Sequence, residues 1–216
     1  MIISHGRQFI FVHIPKTGGT SLALALERKA MKDDILIGDT PKAQQRRKRL
    51  KDVKTSGRLW KHSKLVDVYG LVEQDQIERY FVFTLVRNPW DRMVSYYHWL
   101  RGQNFDHPAI ALAKGVDFSA FLNDPTTRAS LSGDGAARYV SDKDGVERCN
   151  LFLRLEHLAE DMARLEAGIG VKLPLLPHEN KSDRGAYQQY YNGSDQVLVA
   201  DIFAEDITRF AYRFDE

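Results

Sequence analysis

One stretch near the start limits the possible folds more than any other: FIFVHIPKTGGTSLALALERKA, residues 9–30. Residues 9–14 are mostly apolar, with β-branched and aromatic members, the composition of a buried strand. Residues 15–19 form a loop, and Thr20 or Ser21 opens a helix rich in Leu and Ala. The order strand, turn, helix then returns. YFVFTLV at 80–86 reads as a second buried strand, Arg87-Asn88-Pro89 as the turn, and 90–100 as a helix with Pro89 near its first position. NLFLRL at 150–155 is a third strand, followed by a helix over about 156–167. Strands alternating with helices predict an α/β domain with a largely parallel sheet.

Between these units the pattern is weaker. Residues 31–58 are polar and carry the basic run RRKRLK at 46–51, read as a solvated helix face or mobile loop; a docking surface for an anionic acceptor is the alternative. Residues 64–79 read as one or two short helices broken near Gly70, 118–122 as a short helix, and 130–145 as a loop. LPLLPHENKSDRGAYQQYY is irregular, and Ser194 or Asp195 caps a last helix running to about Phe210. With no internal repeat and no linker, the 216 residues are expected to form a single domain, 1–216. A net charge of +2 is too small to argue for a nucleic-acid partner. The lone Cys149 excludes an internal disulfide, a cysteine zinc site and a CxxC redox pair. Residues 9–14 are too few to span a bilayer and no later run is long enough, so the expected location is the cytoplasm.

A loop between a strand end and a helix N-terminus is a natural anion site. The first N–H groups of the helix lack intrahelical acceptors, and the macrodipole favours negative charge there. Gly18 and Gly19 allow close backbone approach, Thr17, Thr20 and Ser21 offer hydroxyls, and Lys16 supplies a mobile cation. Lys16 precedes both glycines, whereas a Walker A loop places its lysine after the second. Arg87 ends the second strand and Ser95 follows eight positions on, with Asp91 between them on the same helical face. A guanidinium and a hydroxyl suit a phosphate. The plainer reading pairs Arg87 with Asp91 or Asp67, and Arg92 with Asp91 or Glu156. Two anion sites at adjacent strand ends imply a ligand with two separated anionic groups.

HIPKTGGTS followed by VRNPWDRMVSYYHW resembles the sulfotransferase superfamily, nearest the branch of Golgi carbohydrate sulfotransferases and their small bacterial relatives. The resemblance implies a P-loop-like three-layer domain with a central, mainly parallel sheet flanked by helices. It also implies a donor, PAPS (3′-phosphoadenosine 5′-phosphosulfate), with PAP (3′,5′-ADP) as product and no metal. Residues Pro15, Lys16, Thr17, Gly18, Gly19, Thr20 and Ser21 would form the 5′-phosphosulfate loop, and Arg87 and Ser95 would hold the 3′-phosphate. KHSKLVDV at 61–68 is similar to the family's segment with the catalytic histidine, and LPHENKS to a late loop whose Lys181 and Ser182 close over the nucleotide. The Golgi relatives carry a membrane anchor, and no apolar run in these 216 residues is expected to form one.

In-line sulfuryl transfer needs donors at the leaving phosphate and a base at the acceptor hydroxyl. Lys16 fits the first role. Histidine is the best-tuned base near neutral pH, and His62 is the choice from its segment, with His98 in reserve and Glu156 and Glu73 as further options. His13 is expected to be buried in the first strand. The acceptor expected from the resemblance is a carbohydrate or glycolipid hydroxyl. The alternatives are a P-loop-type kinase, which needs a Walker lysine and an acidic magnesium ligand, and a nucleotide-binding module without catalysis.

Overall fold

The computed structural model describes residues 1–176 and 184–215. They fall into two compact units. One comprises Met1–Val86 with the described part of Ala136–Glu179, the other Arg87–Gly135 with the described part of Asn180–Glu216. The strands are β1 (Ile2–Ser4), β2 (Phe9–Val12), β3 (Ile35–Leu36), β4 (Phe81–Val86) and β5 (Cys149–Arg154). The helices are α1 (Gly19–Arg28), α2 (Pro41–Arg46), α3 (Gln74–Arg79), α4 (Pro89–Arg101), α5 (Pro108–Gly115), α6 (Phe118–Asn123), α7 (Pro125–Leu131), α8 (Ala136–Val140), α9 (Leu158–Ile169), α10 (Gly193–Ile202) and α11 (Ala204–Phe210).

All the strands lie in the first unit, in the order β3-β1-β2-β4-β5. The three strands expected from the sequence, β2, β4 and β5, are parallel neighbours. The two short strands β1 and β3 extend the sheet beyond β2 in antiparallel register. Side chains alternate across the sheet with a period of two. Phe9 and Phe11 of β2, Phe83 and Leu85 of β4, and Leu151 and Leu153 of β5 share a core with Leu22 and Leu26 of α1 and Leu165 and Ile169 of α9. The alternate residues Ile10, Val12 and Val82 are equally buried. Burial on both faces explains why these strands read as continuous apolar runs. Thr84 is the polar member of β4, and its hydroxyl donates to the Val12 carbonyl at 2.7 Å, tying β4 to β2.

The weaker stretches hold more structure than their sequence suggests. Within 31–58, β3 pairs with β1, and α2 begins at a Thr40 cap whose hydroxyl accepts from Ala43 N–H, with Pro41 in the first turn. In the basic run, Arg46 donates to the carbonyls of Met31 and Asp34 and Arg49 to that of Lys32, while Arg47, Lys48 and Lys51 are exposed. The loop expected at 130–145 contains α8, whose Ala136, Tyr139 and Val140 are buried. The last helix divides into α10 and α11, and its cap is Asn192, whose side chain accepts from Asp195 N–H, rather than Ser194 or Asp195.

The second unit is helical and centres on α4, which buries Trp90, Met93, Val94, Tyr97 and Leu100. Asn88 starts this helix by accepting from Trp90 N–H, while its own amide donates to the Arg213 carbonyl at 2.9 Å. Arg92 lies in the unit's interior with its side chain 4% exposed. Its partner is Asp134, at 2.6 Å, and not the expected Asp91 or Glu156; the guanidinium also lies over the Phe203 ring.

Candidate functional site

β2 and β4 are hydrogen-bonded parallel neighbours, so the chain leaves both at the same edge of the sheet. After β2 it enters a loop of unusual backbone geometry. Lys16 has φ 65° and Gly18 φ 84°. The left-handed region is costly for a lysine, roughly 1–3 kcal/mol, and such residues concentrate at ligand clamps. Gly18 is the N-cap of α1, where a side chain would meet both the positive φ and the Leu155 methyl at 2.8 Å. Gly19 has a different reason to be glycine. A Cβ there would lie 2.2 Å from Cδ2 and 2.5 Å from Nε2 of His13. Thr17 is buried and donates its hydroxyl to the Ile14 carbonyl at 2.9 Å, so that group closes the loop on itself. Thr20 and Ser21 stand half-buried in the first turn of α1, with Ser21 N–H returning to the Gly18 carbonyl. Pro15 and Lys16 are half-buried before them.

The ring that forbids a side chain at Gly19 connects the loop to His62. His13 is buried, stacks on Phe11 and meets His62 edge to face at a centroid distance of 4.6 Å. Its backbone carbonyl accepts from His62 Nδ1 at 2.8 Å. A carbonyl cannot donate, so Nδ1 carries the hydrogen. Burial lowers the His62 pKa to about 4, against the opposing effect of that carbonyl. The ring is therefore neutral at pH 7, with its lone pair on Nε2. Burial also holds His13 well below the usual histidine range, with the charges of the N-terminal amine, Lys61 and Lys16 acting in the same direction. His62 is thus a neutral imidazole of defined tautomer, one ring away from the glycine loop.

The second motif is built in the other unit. Arg87 directs Nε and Nη2 at Asp91 Oδ2, at 2.8 and 2.6 Å, and Arg184 pairs with Asp91 Oδ1. Two guanidinium groups therefore share one carboxylate, and the arginine side chains are 15% and 9% exposed. Ser95 is buried one helical turn beyond Asp91 on α4. The pairing of Arg87 with Asp91 is the plainer sequence reading, while Asp67 accepts from Lys64 N–H. Arg184 was missed from sequence. Its only signal is an arginine before Gly185 in an irregular stretch, and only the fold brings it to Asp91.

The other candidates are placed as follows. Lys181 and Ser182 lie outside the described residues. In the second unit, His98 packs edge-on against Tyr190, and its buried Nε2 has no hydrogen-bond partner among the described residues; burial lowers its pKa. Glu73 caps α3 and Glu156 is exposed. A cleft of about 640 Å³ in the second unit, lined by Arg101, Lys114, Asp117 and Tyr190 among others, includes none of the predicted site residues. Among the described residues no cluster of His, Cys, Asp and Glu could hold a metal ion, and no helix is long and apolar enough to cross a membrane.

A family model described as "Sulfotransferase family" matches residues 1–213. The chain belongs to the sulfotransferase family. This sulfotransferase has no sequence match among curated proteins. Among solved structures it is similar to the mouse sulfotransferase SULT7A1 complexed with PAP, with a TM-score of 0.55 and 18% identity over 92% of this chain and 84% of that one. The likeness confirms the α/β fold with a central sheet flanked by helices. The family places the enzyme among those that transfer sulfuryl groups.

Proposed function

We propose that this sulfotransferase moves the sulfuryl group of PAPS to a carbohydrate hydroxyl, with His62 as base. The observation that carries the reading is the unit formed by the left-handed Lys16–Gly18 loop, the bare Gly19 and the His13–His62 pair. A donor with two anionic ends fits the residues present. A Cβ at residue 18 or 19 would collide with its neighbours, so the loop surface is backbone at the start of α1. Arg87 and Arg184 bring two guanidinium groups to one carboxylate, and such planar groups suit a phosphate. The assignment gives the 5′-phosphosulfate to residues 15–21 and the 3′-phosphate to Arg87, Ser95 and Arg184. Lys181 and Ser182 complete the donor set by family resemblance.

The donor supplies an activated sulfuryl group. In the transfer, the bond from sulfur to the oxygen bridging to the 5′-phosphate breaks, and a bond from sulfur to the acceptor oxygen forms. PAP leaves, and the acceptor's proton passes to His62 Nε2. Lys16 and the first amides of α1 stabilise the negative charge that grows on the leaving phosphate. The His13 carbonyl keeps the Nδ1 hydrogen in place and so presents the correct nitrogen to the acceptor.

The test is calorimetric titration with 3′,5′-ADP, 5′-AMP and ATP without magnesium. Preferential binding of 3′,5′-ADP that is lost in Arg87→Ala is expected. Equal affinity for 5′-AMP, or ATP binding only with magnesium, would overturn the donor assignment.

A further inference from the structure

Trp60 is the aromatic residue nearest in sequence to the proposed base, and the fold leaves it 47% exposed. The other two tryptophans differ: Trp90 is buried, and Trp99 packs on Tyr96 and Phe105. The Trp60 indole meets His62 edge to face, with centroids 5.0 Å apart and planes at 84°. Its backbone is tightly held. Ser63, fully buried, accepts from Trp60 N–H at 2.9 Å and directs its own hydroxyl at the carbonyls of Arg58 and Trp60. Ser63 N–H also returns to the Trp60 carbonyl. An exposed aromatic side chain on a mobile loop is common surface. One fixed by its backbone beside a neutral imidazole is pre-organised, so little conformational freedom is lost when something stacks on it.

The surroundings specify what stacks. The next residue, Lys61, pairs with Asp39 at 2.6 Å, with the carboxylate 62% exposed. Both charges are close enough to act on His62. No hydrogen bond to the indole N–H is found among the described residues. A flat apolar face, a donor N–H, a carboxylate and an ammonium match a ring that has an apolar C–H face and a rim of hydroxyls, which is a sugar ring. A purely apolar or aryl acceptor would leave the Lys61–Asp39 pair without a task.

We propose that Trp60 is the acceptor platform of this enzyme, stacking the sugar ring whose hydroxyl is presented to His62, with Asp39 and Lys61 bonding its neighbouring hydroxyls. The inference rests on the reading of His62 as base and adds the residue that selects carbohydrate. The experiment measures transfer from radiolabelled PAPS to a panel of oligosaccharides and phenols by wild type, Trp60→Phe and Trp60→Ala. The affinity of each for 3′,5′-ADP is measured in parallel. For the glycans that wild type sulfates, Trp60→Ala is expected to raise KM about tenfold, ~1.4 kcal/mol. Trp60→Phe should fall between, with kcat and nucleotide affinity within about twofold of wild type. An unchanged glycan KM in Trp60→Ala, or a wild-type enzyme that sulfates phenols and no glycan, overturns the platform while leaving the donor site standing. Loss of 3′,5′-ADP binding in wild type instead removes the donor reading on which it rests.

Discussion

Replacing Gly19 by alanine tests the link between the loop and the base. The added methyl would sit 2.2 Å from the His13 ring, and ordinary contact begins at 3.4 Å, so the ring must shift by more than 1 Å. It has little room to do so, being buried and stacked on Phe11. Overpacking of this kind costs about 1–3 kcal/mol. Alanine recovers up to ~1 kcal/mol by restricting the unfolded chain and favouring α1. With the full ~1 kcal/mol recovered the net loss is about 0–2 kcal/mol, a fall in Tm of up to roughly 8 °C for a chain of this size. The effect on 3′,5′-ADP affinity should be larger than the stability change suggests, because the displaced groups belong to the loop itself. Chemical denaturation and calorimetry read the two quantities. The cause is isolated by repeating Gly19→Ala in a His13→Ala background, where its stability penalty should drop to within ~0.5 kcal/mol of zero. Wild-type stability and nucleotide affinity in Gly19→Ala would refute the steric argument. An undiminished penalty in the double variant would show that His13 is not the obstacle.

His62→Ala should abolish transfer yet leave 3′,5′-ADP affinity within about threefold of wild type; equal loss of both would sink the base assignment. His62 titrates at about 4 in the folded chain against 6.5 normally. As pH falls the unfolded chain takes the proton first, so the stability held by neutral His62 is whole above pH 6.5 and is lost as pH falls toward 4. The limit is about 3 kcal/mol. Denaturation midpoints between pH 7 and 4 should therefore fall less in His62→Gln than in wild type, and an identical slope would count against the shift. Arg92→Ala removes the buried partner of Asp134 and should destabilise by about 3 kcal/mol, measured by urea unfolding; a change under ~1 kcal/mol would mean the pair is dispensable.

The sequence alone was enough for the three parallel strands, because each rests on local order. Continuous apolar runs at 9–14, 80–86 and 150–155 can satisfy their burial only inside a covered sheet, and glycine, lysine and proline mark the turns after them. Short strands escaped because β3 has two residues and exists only through its register with β1. The helix α8 escaped because the stretch around it, 130–145, is rich in Gly, Ser and Asp and reads as loop until Tyr139 and Val140 find a core. Family resemblance pointed to the histidine, but nothing local could say which of its nitrogens is basic. That depends on the His13 carbonyl, 49 residues away in the chain. Arg184, likewise, becomes part of the second cluster only when folding brings it to Asp91, 93 positions earlier. Periodicity and turn chemistry act between near neighbours and can be read in order. Tautomer, shared carboxylates and an exposed Trp60 beside His62 arise between side chains that only the tertiary fold makes neighbours.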